Sequence, residues 1–470
     1  MRIITKKVSE ISNHKYMRFD GKYWMTKQSI VFQNYSLIKD VFEIINGSVQ
    51  TSHYVSEKTE FPYVRIGDID YKYGIDGEDM LYLDNLDDVN DEKILRRDDL
   101  VLATIGATVG KIGLVSSCEG GTHSNNTVVL RAKSNDTAEA RFYEKLFQTN
   151  LFIKYFFGVV SQKAQPNLQE YDLKNICVPI VSRKCIREAL EAISPIEEKI
   201  QNLKLKVLKT QEIIDQIIAS TFSIDYVAIH NVGRCKKQNA SFSTLGNKNV
   251  NLRFSYRWNK ATEIQNYLIS KVNSCKKLGS FILNTQNGWS PECDDSKSEY
   301  QVLGIDSINK DGILSFANVK YSDVHKRNFD SYIVKDGDFF VSRGNTTDLV
   351  SLASIARINI DEPITIFPDL MIRITFSEEI NKEYMAFIFN SFIGRLYFKY
   401  STKGKNQTMV KVSPRELNDF YVPIPNQDTQ KNIVDAIHCE ISKQDEIKSE
   451  IAKLRVKIDE IIESTIRSAD

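Results

Sequence analysis

The stretch ATIGATVGKIGLV, residues 103–115, holds the side chains most suggestive of chemistry: Gly106, Gly110, Lys111 and Gly113 resemble a phosphate-cradling loop opening a helix. Such a loop needs four residues between its first glycine and its Gly-Lys pair, then Ser or Thr to hold magnesium. Here Gly106 and Gly110 enclose three residues and Ile112 follows the lysine, so the spacing predicts a tight turn between two strands. Methyl transfer would require an Asn- or Asp-Pro-Pro-aromatic stretch, and no Pro-Pro occurs. A nuclease reading keeps some footing in Asp369 after Pro368 and in triplets such as DEK and SEK, but no acidic-x-Lys stands close downstream of that Pro-Asp pair. The histidines at 14, 53, 123, 230, 325 and 438 are dispersed, without metal-ligand spacing. No catalytic residue and no metal ligand is assigned.

Composition narrows the class. Sixty-two basic against 61 acidic residues leave a net charge of +1, so any nucleic-acid role must rest on local patches. Apolar runs such as LFIKYFFGVV fall short of the ~20 residues of a membrane span. The N-terminus has no apolar secretory segment. Seven cysteines, an odd number with no C-x-x-C, read as reduced thiols. A cytoplasmic protein without membrane contact is expected.

The sequence is written twice. Residues 173–222 align without a gap to 417–466, with 15 identities in 50 positions that include the VPI entry (178–180 and 422–424) and the Ser-Thr exit (220–221 and 464–465). Upstream the order persists: MRFDGKYW faces LRFSYRWN, VRIGDI faces LGIDSI, and DLVLATIGAT faces DFFVSRGNTT. Short alternating runs broken by Gly, Asn and Asp, with helical stretches mixed in, predict an α+β globule in each copy. The second copy of the opening stretch puts Asp348 and Leu349 where Gly110 and Lys111 fall, which removes phosphate cradling a second time.

Each copy ends in an expected long helix. Leu203, Val207, Thr210, Ile214, Ile217 and Thr221 repeat, in the same register, the spacing of Ile447, Ile451, Leu454, Ile458, Ile461 and Thr465, a heptad seam. Two matched seams in one chain predict pairing with each other. The opposite side, with Leu208, Ile213 and Ile218, is apolar enough to take a partner helix, and core packing explains it equally well. The predicted architecture is two pseudo-symmetric globular domains separated by two long antiparallel coiled-coil helices of roughly 60 Å. The expected divisions are 1–181, first head; 182–235, first helical region and linker; 236–425, second head; and 426–470, second helical region. Two related heads on a rigid spacer suit two short elements on one face of duplex DNA, about 34 Å apart.

The order RFDGKYW, VRIGDI, DLVLATIGATVGKIGLV, QPNLQEYDLKNICVPI and a long terminal helix, all repeated, resembles the specificity subunit of type I restriction-modification systems. The resemblance implies two target-recognition domains, each reading half of a bipartite site in double-stranded DNA, with the helices setting the spacer. It implies two modification subunits, which methylate adenine with S-adenosylmethionine, and two restriction subunits, which use ATP and magnesium. No cofactor is expected on this chain. Polar and basic loop residues are the candidate DNA contacts. In the first head these are Arg65, Thr104, Thr108, Lys111, His123, Asn125, Asn126, Lys163, Gln165 and Asn167. In the second they are Arg343, Asn345, Thr346, Thr347, Lys399, Lys403, Lys405, Asn406 and Gln407. The alternative is a coiled-coil scaffold whose heads bind protein. Its footing is the charge of the second helical region, 7 basic against 10 acidic residues over 426–470.

Overall fold

The computed structural model describes residues 11–12, 14–48, 54–55, 57–71, 74–75, 80–134, 136–160, 166–234, 256–358, 363–402 and 409–469. The chain divides into two compact units, Met1–Lys206 with Ile447–Asp470, and Val207–Glu446. In this division the helical regions are not separate domains, because 182–206 groups with the first head and 426–446 with the second. Among the described residues no helix is long and apolar enough to cross a membrane.

Each unit is built on a four-stranded antiparallel sheet. The first contains β1 (Phe42–Asn46), β2 (Leu100–Ala103), β3 (Ile112–Leu114) and β4 (Thr127–Ala132), in the spatial order β1-β4-β2-β3. The second contains β5 (Ile282–Asn287), β6 (Phe339–Ser342), β7 (Ala353–Ile355) and β8 (Met371–Phe376), in the matching order β5-β8-β6-β7. Register matches as well. Leu102 lies opposite Val128 and Ile112, and Val341, its counterpart, lies opposite Ile372 and Ala353. The two VPI segments each complete a ribbon, with Pro179 opposite Tyr35 and Pro423 opposite Cys275.

Strands β2 and β6 are buried at every residue rather than alternating, because both of their faces are covered. In the second unit Phe339, Val341, Ile372 and Ile374 join the helices' core, while Phe340 and Met371 pack with Leu303 and Phe367 in a separate cluster. Helices α1 (Thr137–Phe147) and α2 (Asn150–Val159) follow β4, and α5 (Lys382–Asn390) and α6 (Phe392–Ser401) follow β8. Side-chain caps start all four: Asp136 and Thr149 in the first head, Asn381 and Ser391 in the second.

An ion pair is repeated behind each sheet, with Asp99 buried and Arg131, Arg373 and Asp338 half-buried. Arg131 on β4 binds Asp99 at 2.8 Å and the Ile94 carbonyl at 2.9 Å. Arg373 on β8 binds Asp338 at 2.9 Å and the Ile333 carbonyl at 3.0 Å. In both heads the aspartate also accepts a backbone N–H three residues upstream, from Arg96 and Lys335.

The helical regions depart from expectation. The second is one helix, α7 (Gln427–Ala469), but the first is broken into α3 (Arg183–Lys204) and α4 (Thr210–Thr221). The break contains neither Gly nor Pro. Side chains satisfy its backbone instead: Gln444 accepts the Leu208 N–H at 2.9 Å and Glu212 the Lys209 N–H at 3.0 Å. β-Branched Val207 and Thr210 lower the cost of leaving the helix there. Val207, expected on the seam, therefore lies outside both helices. On α7 the buried line runs Ile451, Leu454, Ile458, Ile462 and Ile466, so the heptad drifts by one residue and Ile461 is only half-buried. Leu203, Ile217 and Ile447 are also half-buried, whereas Ile214 is buried. Ile213 and Ile218 on the reverse face are 2% and 0% exposed, which favours core packing over an open partner surface there. The first unit contains the ion pair Lys199–Glu450 at 2.6 Å, between α3 and α7.

Candidate nucleic-acid interface

Three separate stretches of the first head meet at the end of β2. The Thr104 N–H donates to the Asn126 carbonyl at 3.1 Å and the Leu168 N–H to the Thr104 carbonyl at 2.9 Å. Ile105 bridges to Asn167, and the Gly106 N–H donates to the Pro166 carbonyl at 2.8 Å. The glycines of the opening stretch build this turn. Gly106 and Gly110 have φ of +72° and +87°, a region that L side chains avoid. Most of the turn's N–H groups are spent within the fold: besides that of Gly106, Val109 donates to Gly106, Gly110 to Ala103 and Lys111 to Thr108. A phosphate cradle needs such donors free, so the turn reading stands on hydrogen bonding as well as on spacing.

The second head repeats the junction. The Arg343 N–H donates to the Leu370 carbonyl at 2.6 Å, and the Val412 N–H to the Arg343 carbonyl at 2.9 Å. Gly344–Asn345 pairs as a short strand with Val410–Lys411. A fourth segment closes both junctions. Gly47 and Gly288 follow the first sheet strand, and a β-carbon there would meet the Ser124 carbonyl oxygen at 2.0 Å and the Pro368 carbonyl oxygen at 2.1 Å. This segment is absent from the sequence-predicted set, although its signal was available: Asn46-Gly47 and Asn287-Gly288 are the same dipeptide in the same place.

The side chains are distributed unevenly. In the first head Asn125 is exposed and Asn126 and Asn167 half-buried at the junction. Thr108 closes the turn through its hydroxyl on the Ile105 carbonyl, and Lys111 stands over the Tyr71 ring at 5.6 Å. Arg65 forks its guanidinium on Asp68 at 2.9 and 3.1 Å. Two assignments are corrected. Thr104 is 6% exposed with its hydroxyl on the Asn126 carbonyl, and His123 is 0% exposed, its Nδ1 bonded to the Thr127 hydroxyl. Both are framework residues. Burial, with Lys93 and Arg131 nearby, pushes the His123 imidazole down to about 4. Lys163 and Gln165 lie outside the described residues.

In the second head Arg343, Asn345, Thr346 and Thr347 share the junction and are all half-buried. The Asn345 side chain accepts the Thr346 N–H at 2.8 Å, and Lys399 pairs with Asp348 at 3.1 Å beside the turn. Lys403, Lys405, Asn406 and Gln407 lie outside the described residues. Three residues join the set: Ser290 and Asp369, bonded through the hydroxyl at 2.6 Å, and Trp289, whose ring lies 4.8 Å from the Lys326 ammonium. The junctions thus present amides, hydroxyls and cations from clamped backbone, the groups that reach base edges and phosphates.

Comparison with known proteins agrees for the first copy. Residues 32–210 match the family model of the type I restriction modification DNA specificity domain, a stretch running from before β1 to the start of α4. No curated protein matches the chain. Among solved structures, one from work on the structural basis of complex assembly and conformational transition of the type I R-M system is 13% identical, covers 93% of this chain and 97% of its own, and has a TM-score of 0.44. The type I restriction-modification S subunit from M. genitalium is 12% identical over 92% and 95%, at 0.40. The HsdS subunit from Thermoanaerobacter tengcongensis is 13% identical over 93% and 97%, at 0.33. Residues 32–210 belong to the family of type I restriction-modification DNA specificity domains, the family that the sequence resembles.

Proposed function

We propose that the chain is the non-catalytic DNA-recognition subunit of a type I restriction-modification complex. Each head reads one half of a bipartite, asymmetric site. The helical regions set the spacer and dock two methyltransferase subunits, which use S-adenosylmethionine, and two restriction subunits supply ATP- and magnesium-dependent translocation and cleavage. One observation carries the reading: the junction of turn, loop and terminal segment is built twice with the same backbone bonds and carries different side chains in each copy. Two copies of one framework with divergent displays are what reading two different half-sites requires. The near-neutral charge agrees with a subunit that binds DNA weakly alone and gains affinity from its partners.

The test is to map methylated adenines in cells that carry the chain with its modification subunit, then to exchange each head separately for that of another family member. A bipartite motif whose halves change one at a time is expected. No motif, or loss of both halves on exchanging one head, refutes the reading.

A further inference from the structure

Positions 104 and 343 are equivalent by backbone bonding, since each donates to the loop before the last sheet strand and accepts from the segment before the VPI strand. The side chains diverge completely. Thr104 turns inward, whereas Arg343 leaves the same clamped backbone half-exposed. Its guanidinium is steered by one neutral contact, Nη1 to the Asp369 carbonyl at 3.2 Å. The Asp369 carboxylate is engaged by the Ser290 hydroxyl at 2.6 Å, and the Asp369 N–H approaches that same hydroxyl oxygen at 3.1 Å. Three other arginines of this head face carboxylates, Arg373 on Asp338, Arg357 on Glu383 and Arg415 on Asp419, while Arg257 and Arg395, like Arg343, bind backbone carbonyls, those of Lys399 and Val350. Arg343 is aimed by a carbonyl, and among the described residues no other hydrogen bond or ion pair takes up its donor fork.

From this geometry we propose that Arg343 reads a guanine in the half-site of the second head, donating two parallel hydrogen bonds to O6 and N7 in the major groove. The assignment rests on the DNA-recognition reading above. A planar fork on fixed backbone is the geometry that this contact demands, because a bidentate bond loses its selectivity when the fork can swing. Ser290 and Asp369 act as positioning residues. Lys326, held over the rings of Trp289 and Tyr332 at 4.8 and 4.2 Å, is a point charge suited to phosphate. It serves as the contrast.

Adenine-methylation maps of cells carrying the modification subunit with wild-type chain, Arg343→Ala, Arg343→Gln or Lys326→Ala test this. Arg343→Ala relaxes one G·C position in the second head's half by about 5- to 150-fold, the range of 1–3 kcal/mol per bidentate contact, and leaves the other half intact. Arg343→Gln moves preference at that position towards adenine, the partner of a glutamine amide. Lys326→Ala lowers methylation at all sites without altering the motif. An unchanged motif in both Arg343 variants overturns the assignment, as does relaxation at an A·T position or in the first head's half. Loss of methylation in both variants together with a lowered melting temperature makes Arg343 structural and also overturns it. A wild-type chain that yields no bipartite motif fails the recognition reading itself, an outcome distinct from all of these.

Discussion

Asp99 and Asp338 do one job in two heads, whereas Thr104 and Arg343, five residues further along each chain segment, do different ones. The aspartates hold a half-buried arginine behind the sheet, with the same carbonyl and the same backbone N–H completing the cluster. The later pair stands at a junction whose main-chain bonds are shared while its side chains are free to change. Duplication therefore preserved the parts that fix backbone position and released the parts that face outward. A buried charge left without its partner is costly, and a half-exposed loop side chain is not.

The largest expected effect breaks the shared framework. Asp99→Ala strands the Arg131 guanidinium beside a buried site and should lose about 3–5 kcal/mol; Asp338→Ala strands the half-buried Arg373 and should lose less, each read as a denaturant midpoint shift in its own unit. A loss under about 1 kcal/mol in one copy alone would mean that the repeat kept the geometry without its energetic role.

Acid separates the units. His123 has a folded value of about 4 against an ordinary value near 6.5, so its contribution is present above pH 6.5 and is lost as pH falls towards 4. Asp215 is raised by burial to about 6 even though it accepts the Phe392 N–H at 2.7 Å. Its contribution is present below the ordinary value near 3.8 and is lost as pH rises through 6. Each is worth at most about 3 kcal/mol. Hydrogen exchange at pH 7.5 and 5 should show the first unit weakening and the second firming on acidification. His123→Gln should remove the first trend, and Asp215→Asn, which keeps the acceptor, should stabilise the second unit at pH 7.5. Parallel responses of the two units would contradict both assignments.

Gly47→Ala and Gly288→Ala test the close approach behind the junctions, where a methyl group would meet backbone carbonyl oxygen. About 1–3 kcal/mol is expected from each, together with faster exchange of the Ser124 or Met371 amide. The smallest effect belongs to the helical break: Leu205 is 85% exposed, and Leu205→Gln should change the melting free energy by less than about 0.5 kcal/mol.

The repeat was legible because VPI and Ser-Thr mark the same points in both copies, but the strand order within a head was not. The turn at Gly106 was legible because three residues cannot replace four in a phosphate loop. The break after Lys204 was not, since it depends on Gln444 and Glu212 side chains that take over backbone N–H groups. Burial of Thr104 and His123 was missed for a related reason. A polar residue at the end of a strand looks the same in sequence whether its hydroxyl or imidazole meets solvent or a neighbouring carbonyl or hydroxyl. Asn46-Gly47 went unread because its importance lies in how close another strand's carbonyl comes.

The broken first helical region and the continuous α7 also differ in how they tolerate growth. A residue inserted between Leu205 and Lys209 lengthens a link, and even a doubling of that link costs only about 0.6 kcal/mol in closure entropy. The same insertion inside Gln427–Ala469 turns every later side chain of that helix by about 100° and moves Ile458, Ile462 and Ile466 off their buried line. Insertions and deletions are therefore far more readily accepted at the break than in its duplicated counterpart, where length can change only in steps that return the helix to the same face.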